Sequence, residues 1–142
     1  MIDTKQITGA EKLVSIFGSW PSFHDSEIIS VKLDCTPGST ASPSLELAIH
    51  AFRMTNEVDS RGYFVLADHS IVVLRFSRID GLSLSDFREG NTISALRLSS
   101  QEASGRISVE ISTSYGMHGE FTCDSVDVVS VTACDAHGQL AP

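Results

Sequence analysis

Arg106-Ile-Ser-Val-Glu-Ile-Ser-Thr113 decides the fold class. Ile107, Val109 and Ile111 fall on one side of an extended chain, with Ser108, Glu110 and Ser112 on the other. A period of two marks a strand with one face on a core and one in water. The same pattern recurs through most of the chain, without the strand–helix–strand rhythm of a parallel α/β fold.

Upstream, Thr92 to Leu98 is strand-like but impure, with Ile93 and Ala95 on one face and Leu96 and Leu98 on the other. One extra residue near Ala95, a β-bulge, would turn both pairs toward the core. Ile71-Val-Val-Leu-Arg-Phe76 is β-branched and nearly continuous, as in a central strand. Leu45, Leu47, Ile49 and Ala51 share one face of a further strand, and Ile29, Val31 and Leu33 share the inner face of another. Residues 53–62 are polar and read as a long turn, Tyr63 to Leu66 as a short edge strand, and Gly81 to Gly90 as a connection. Downstream, Tyr115 to Gly119 is a turn, Glu120–Cys123 and Ser125–Ala133 are strands broken at Asp124, and Asp135–Pro142 is a polar tail expected to fray.

Before the first strand, Thr8-Gly-Ala-Glu11 fits a capping box, Leu13, Ile16 and Phe17 form one apolar stripe, and Gly18 is placed to end a helix. The expectation is mainly β with minor α: an antiparallel sandwich or curled half-barrel of six to eight strands, with one short N-terminal helix. A single domain over 1–142 divides into helix 8–17, hinge loop 18–27, sheet 28–134 and tail 135–142.

The formal net charge is −8, which disfavours nucleic acid and anionic membrane as partners, since both require Lys and Arg against phosphate. Glu110, Glu120, Asp124, Asp127 and Asp135 follow Arg106, the last basic residue. Such an acidic sector attracts a basic partner and raises its on-rate. Cys35, Cys123 and Cys134 are odd in number and lack CxxC spacing, so neither a disulfide framework nor a zinc knuckle is expected. The N-terminus lacks a secretory-signal pattern and no apolar run could span a membrane, so cytoplasmic residence is expected.

The densest chemistry lies in Trp20-Pro-Ser-Phe-His-Asp-Ser-Glu27. His24, Asp25 and Glu27 are ligand types for zinc, which opens a metal-dependent hydrolase as an alternative. In an extended segment, however, His24 faces away from Asp25 and Glu27. The favoured reading is structural: Trp20 and Phe23 plug the core, Pro21 shapes the turn, Asp25 satisfies turn amides, and His24 is a partly buried, hydrogen-bonded ring. There is no GxSxG elbow, P-loop or GxGxxG, and no cofactor is implied. A homodimeric module pairing through a strand edge is a further alternative.

This WP-x-FHD-x-E block resembles the immunity protein 50 family of bacterial polymorphic toxin systems. Weaker likenesses occur at Ile49-His-Ala-Phe52, His69 to Phe76, Phe87 to Ile93 and Gly116-Met-His-Gly-Glu-Phe-Thr-Cys123. The chain departs from the expected Phe-Asn-x-x-Asn with Phe87-Arg-Glu-Gly-Asn91. The resemblance implies a small, non-catalytic cytosolic protein, monomer or homodimer, that binds and neutralises a cognate toxin. A basic toxin would meet Glu110, Glu120, Asp124 and Asp127.

Overall fold

The computed structural model describes residues 1–141. A 3-10 turn, Thr4–Gln6, leads into β1 (Ile7–Thr8) and α1 (Glu11–Phe17). Then follow β2 (Glu27–Asp34), β3 (Ser44–Val58), β4 (Phe64–Ser77), β5 (Asp80–Ser85), β6 (Asn91–Ser100), β7 (Ile107–Tyr115), β8 (His118–Cys123) and β9 (Ser125–Ala133). All strands belong to one sheet in the order β1-β9-β4-β3-β2-β6-β7-β8-β5. Every pairing is antiparallel except β1 on β9, which makes the sheet mixed.

The connections force this sheet to double over. β4 and β8 stand five strand spacings apart in the order, about 24 Å in a flat sheet. Yet the rings of Phe76 on β4 and Phe121 on β8 meet edge-on at 5.1 Å. The links are correspondingly short: Asp124 alone joins β8 to β9, and its N–H donates to Ser77 O at 2.9 Å. The bend falls where β2 meets β6, a seam of only two residue pairs, Glu27–Thr92 and Ile28–Asn91. The result is a sandwich folded from one open sheet, with β1, β9, β4, β3 and β2 as one layer and β6, β7, β8 and β5 as the other. Leu45, Leu47, Ile49, Val72, Leu74 and Phe76 fill the inner face of the first layer, and Ile93, Leu98, Val109, Ile111 and Phe121 that of the second.

The bulge expected near Ala95 is present: the register slips between Ile93–Thr113 and Ala95–Ser112, and Ile93 and Leu98 both reach the core. Elsewhere the strands depart from the sequence expectation. A register slip between Ile28 and Ser30 turns Ile28 into the core and leaves Ile29 as the extra, exposed residue, while Val31 and Leu33 keep the inner face in register with Leu47 and Leu45, Leu33 remaining solvent-exposed. Residues 53–62 are not a long turn, because β3 and β4 continue past the sheet body as a two-stranded arm. Asp68 and His69 together oppose Phe52 there, and Asp68 takes φ 54, so a bulge carries β4 through the Asp-His-Ser punctuation. Residues 80–85 form edge strand β5 rather than a connection. With the two β4 segments merged and β1 and β5 added, the count is nine.

The helix starts at Glu11 rather than 8, because Thr8 is committed to the parallel pairing with Asp127. Ala10 stands at the N-cap without a side-chain bond, so the Thr8–Glu11 capping box does not form. Asp3 and Gln6 make one instead around the preceding 3-10 turn. Gly18 closes the helix at φ 82, its N–H donating to Val14 O. Of the apolar stripe, Leu13 is fully buried, Phe17 packs at the core margin, and Ile16 remains exposed. The C-terminal tail is folded through Leu140: Asp135 accepts from the amides of His137 and Gln139, and Cys134 pairs with Leu140. These backbone bonds hold the Asp135 carboxyl below the ordinary range.

Candidate interaction surface

The Trp20–Glu27 block sits over the seam between the layers. Phe23 is 3% exposed, and Trp20 stands edge-on to it at 5.8 Å between ring centres. Phe23 and Asp25 take left-handed backbone conformations, φ 60 and 67, which L-residues adopt at a cost. Hydrogen bonds offset that cost: Asp25 N–H donates to Ile93 O at 2.9 Å, and Ile93 N–H to Ser26 O at 2.7 Å. The loop thus extends the thin β2–β6 pairing and holds the bend closed. The turn-amide role expected of Asp25 belongs to Ser22, whose hydroxyl accepts from His24 N–H at 3.2 Å. His24 is not partly buried: it is exposed and pairs with Asp25 at 3.2 Å. Pro21 lines a hollow of about 270 Å³ between this loop and the arm root at Phe52 and Met54. Glu27 opens β2, opposite His50 on one side and Thr92 on the other. Among the described residues, no three His, Cys, Asp or Glu side chains are grouped to hold a metal ion.

Asn91, only 1% exposed, braces the other side of the seam. Its Oδ1 accepts from the amides of Arg88 and Met117, both at 3.0 Å. Gly116 passes so close at φ 110 that a Cβ there would overlap this oxygen. The Phe87–Asn91 segment therefore works through the Asn91 side chain, and Arg88 contributes its backbone amide. The Arg88 guanidinium lies over the Tyr115 ring.

The four acidic residues of the expected partner sector do not form one surface. On the first layer, Asp127 ends a register-aligned row across four strands, Lys32–Glu46–Arg75–Asp127, in which the charges alternate and cancel. Glu46 lies 4.0 Å from Lys32 and 3.8 Å from Arg75. Asp124, in the β8–β9 link, is held by Arg106 and by Arg78 at 3.0 Å. Arg106 also donates to Arg78 O, so this cluster ties the two short links together. Glu110 and Glu120 are direct cross-strand partners on the outer face of the second layer. Their row reads Arg97–Glu110–Glu120, one cation against two carboxylates, with Arg97 at 3.1 Å from Glu110.

That outer face is concave. A groove of about 680 Å³ runs from Met1 and β6 to Asp80 and Gly81 of β5, with Arg97, Ser108, Glu110, Glu120 and Thr122 along it. A smaller hollow of about 250 Å³ adjoins it, shares Glu110 and Glu120, and adds Ser83 and His118. The contribution of β5 was missed in the sequence, although the alternation Leu82, Leu84 against Ser83, Ser85 is its signal.

The first layer's outer face is covered where it is not balanced. His50, 8% exposed, faces His69 with ring nitrogens 3.0 Å apart, so one ring donates and the other accepts. Burial, and secondarily His69, push the His50 value down. The C-terminal turn lies against this pair, with Gly138 packed on the His50 ring. Cys123 is buried, its thiol pushed up to about 11 by burial, which makes it inert as a nucleophile.

The second layer thus presents an open, polar, concave sheet face. The family model described as Immunity protein 50 matches residues 9–134, most of the chain, and the chain belongs to that family. Membership gives it a toxin-neutralising role, in a family that is generally non-catalytic. No curated protein and no solved structure matches it. No helix among the described residues is long and apolar enough to cross a membrane.

Proposed function

We propose that the protein binds a basic cognate toxin through the second layer's concave face and blocks it without chemistry, in the cytoplasm of the cell that makes both. The observation that carries this reading is the row Arg97–Glu110–Glu120, which leaves excess negative charge inside the groove of about 680 Å³. Low-dielectric walls focus such a field, steering a basic partner in and speeding encounter. A nuclease is one toxin of suitable charge, since its substrate-binding face is basic and occluding that face would suffice to neutralise it. Nucleic acid itself is repelled by the same field. Asp124 and Asp127, already compensated, lie outside the contact.

The test is co-expression in a bacterial host with the toxin encoded beside it. Growth is restored by the native chain, and a stable complex co-purifies. Glu110→Lys with Glu120→Lys loses protection while the protein stays folded and abundant. Full protection by that double variant would assign the contact elsewhere.

A further inference from the structure

The β3–β4 arm carries five large, exposed apolar side chains close together. Met54, Val58, Tyr63, Phe64 and Leu66 are each between 37% and 69% exposed. Met54 pairs across the ribbon with Leu66, and Val58 with Phe64. Phe64 and Leu66 are two residues apart, so all four side chains share one face. Tyr63 adds to them at the tip. A two-stranded ribbon of this kind is marginal in water unless something covers its apolar face.

We infer that the arm packs face to face against the arm of a second copy of the same chain, forming a two-fold dimer. Charge distinguishes this occupant from a basic toxin. The arm, residues 51–69, holds Arg53, Arg61, Glu57, Asp59 and Asp68, so its net charge is −1 out of −8 for the chain. Arg53 and Asp68 are paired with each other at 2.8 Å. Two acidic molecules therefore repel least where their arms meet, and a cationic partner is drawn to the groove instead. A two-fold interface presents the same patch from both sides, so an apolar face needs no other complement. The five side chains offer roughly 500 Å² per copy, and about 1,000 Å² removed from water in total is the lower end for a stable interface. The dimer is accordingly reversible.

Strand-edge pairing is disfavoured on the same arm. The register slips between Ala51 and Arg53 and again between Met54 and Val58 kink β3 and blunt its free edge. The contact is through faces, which differs from an edge-paired module.

The inference is independent of which surface meets the toxin. Its test is sedimentation equilibrium of the full chain over a range from about 1 μM to about 1 mM. The native chain is expected to pass from monomer to twice the monomer mass across this range. Phe64→Glu, and separately Met54→Lys, keep the native melting temperature and remain monomeric throughout. A native chain that stays monomeric to the top of the range overturns the inference. A dimer that persists in both variants overturns it as well. Monomeric native protein whose toxin affinity drops in Phe64→Glu would assign the arm to the toxin instead.

Discussion

The two outer faces of the sandwich are built from the same kind of strand and end up with opposite characters. On the first layer, Lys32, Glu46, Arg75 and Asp127 alternate in sign across β2, β3, β4 and β9, while the C-terminal turn covers His50 and His69. On the second, Arg97 faces two carboxylates in succession and the surface is hollow. Cross-strand neighbours of opposite sign stabilise a sheet, and like charges directly opposite destabilise it. The Glu110–Glu120 pairing is therefore a small local cost on a face that could have been balanced like the other. Balanced charge serves the fold, and the unbalanced pair is available to a partner.

That contrast breaks most sharply at the seam that holds the layers in place. Phe23→Ala should lower unfolding free energy by about 3–5 kcal/mol, since it empties a buried aromatic site at the bend. Urea denaturation gives the number, and toxin affinity of the folded fraction should be unchanged. Trp20→Ala should cost less than Phe23→Ala, because Trp20 is only partly buried. A loss of binding without a loss of stability would place the Trp20–Glu27 block in the interface.

Asn91→Ala comes next, at about 2 kcal/mol, because it strands the buried amide of Met117 and removes the part-buried bond from the Arg88 amide. The same denaturation series measures it. A cost near zero would mean that the seam rests on apolar packing alone.

A smaller effect belongs to the covered part of the first layer. The neutral His50 ring has a folded-state value below its ordinary 6.5, so the unfolded chain takes up its proton first as the pH falls. Its contribution is complete above about 6.5 and is lost as the pH drops from there through the folded-state value. Glu27 and Asp135, which face the ring, act against this shift, and His69 acts with it. Melting temperature should therefore fall between pH 7 and pH 5, and His50→Gln should flatten that slope. An unchanged slope in the variant would remove His50 from the account.

Much of this was legible in the residues. Ile107, Val109 and Ile111 alternate cleanly because β7 lies inside its layer and pairs without a slip from Ile107 to Ser112, and the displaced pairs Ile93/Ala95 and Leu96/Leu98 disclosed the β6 bulge. The arm was not legible, since a ribbon outside the core needs no apolar alternation and its polar residues look like a turn. The β2 bulge at Ile29 was hidden because Ile28 and Ile29 are both apolar and either could face inward. The acidic sector was visible as composition, but sequence distance carries no information about cation partners. Arg75 reaches register with Asp127, and Arg78 and Arg106 reach Asp124, only through long-range pairing.

The smallest expected effect is a control on the balanced face. Asp127→Lys should change the toxin on-rate by less than about twofold, because the half-buried charge there lies on the opposite face from the encounter surface and is screened at that distance. A large drop would extend the interface across both faces.

The most direct test of the central claim is the association rate of the Glu110→Lys, Glu120→Lys double variant with the cognate toxin, measured by stopped flow at low and physiological salt. The account predicts a rate at least about tenfold below the native chain at low salt, a gap that narrows as salt rises, and an unaltered melting curve. An association rate equal to the native one at low salt would contradict it.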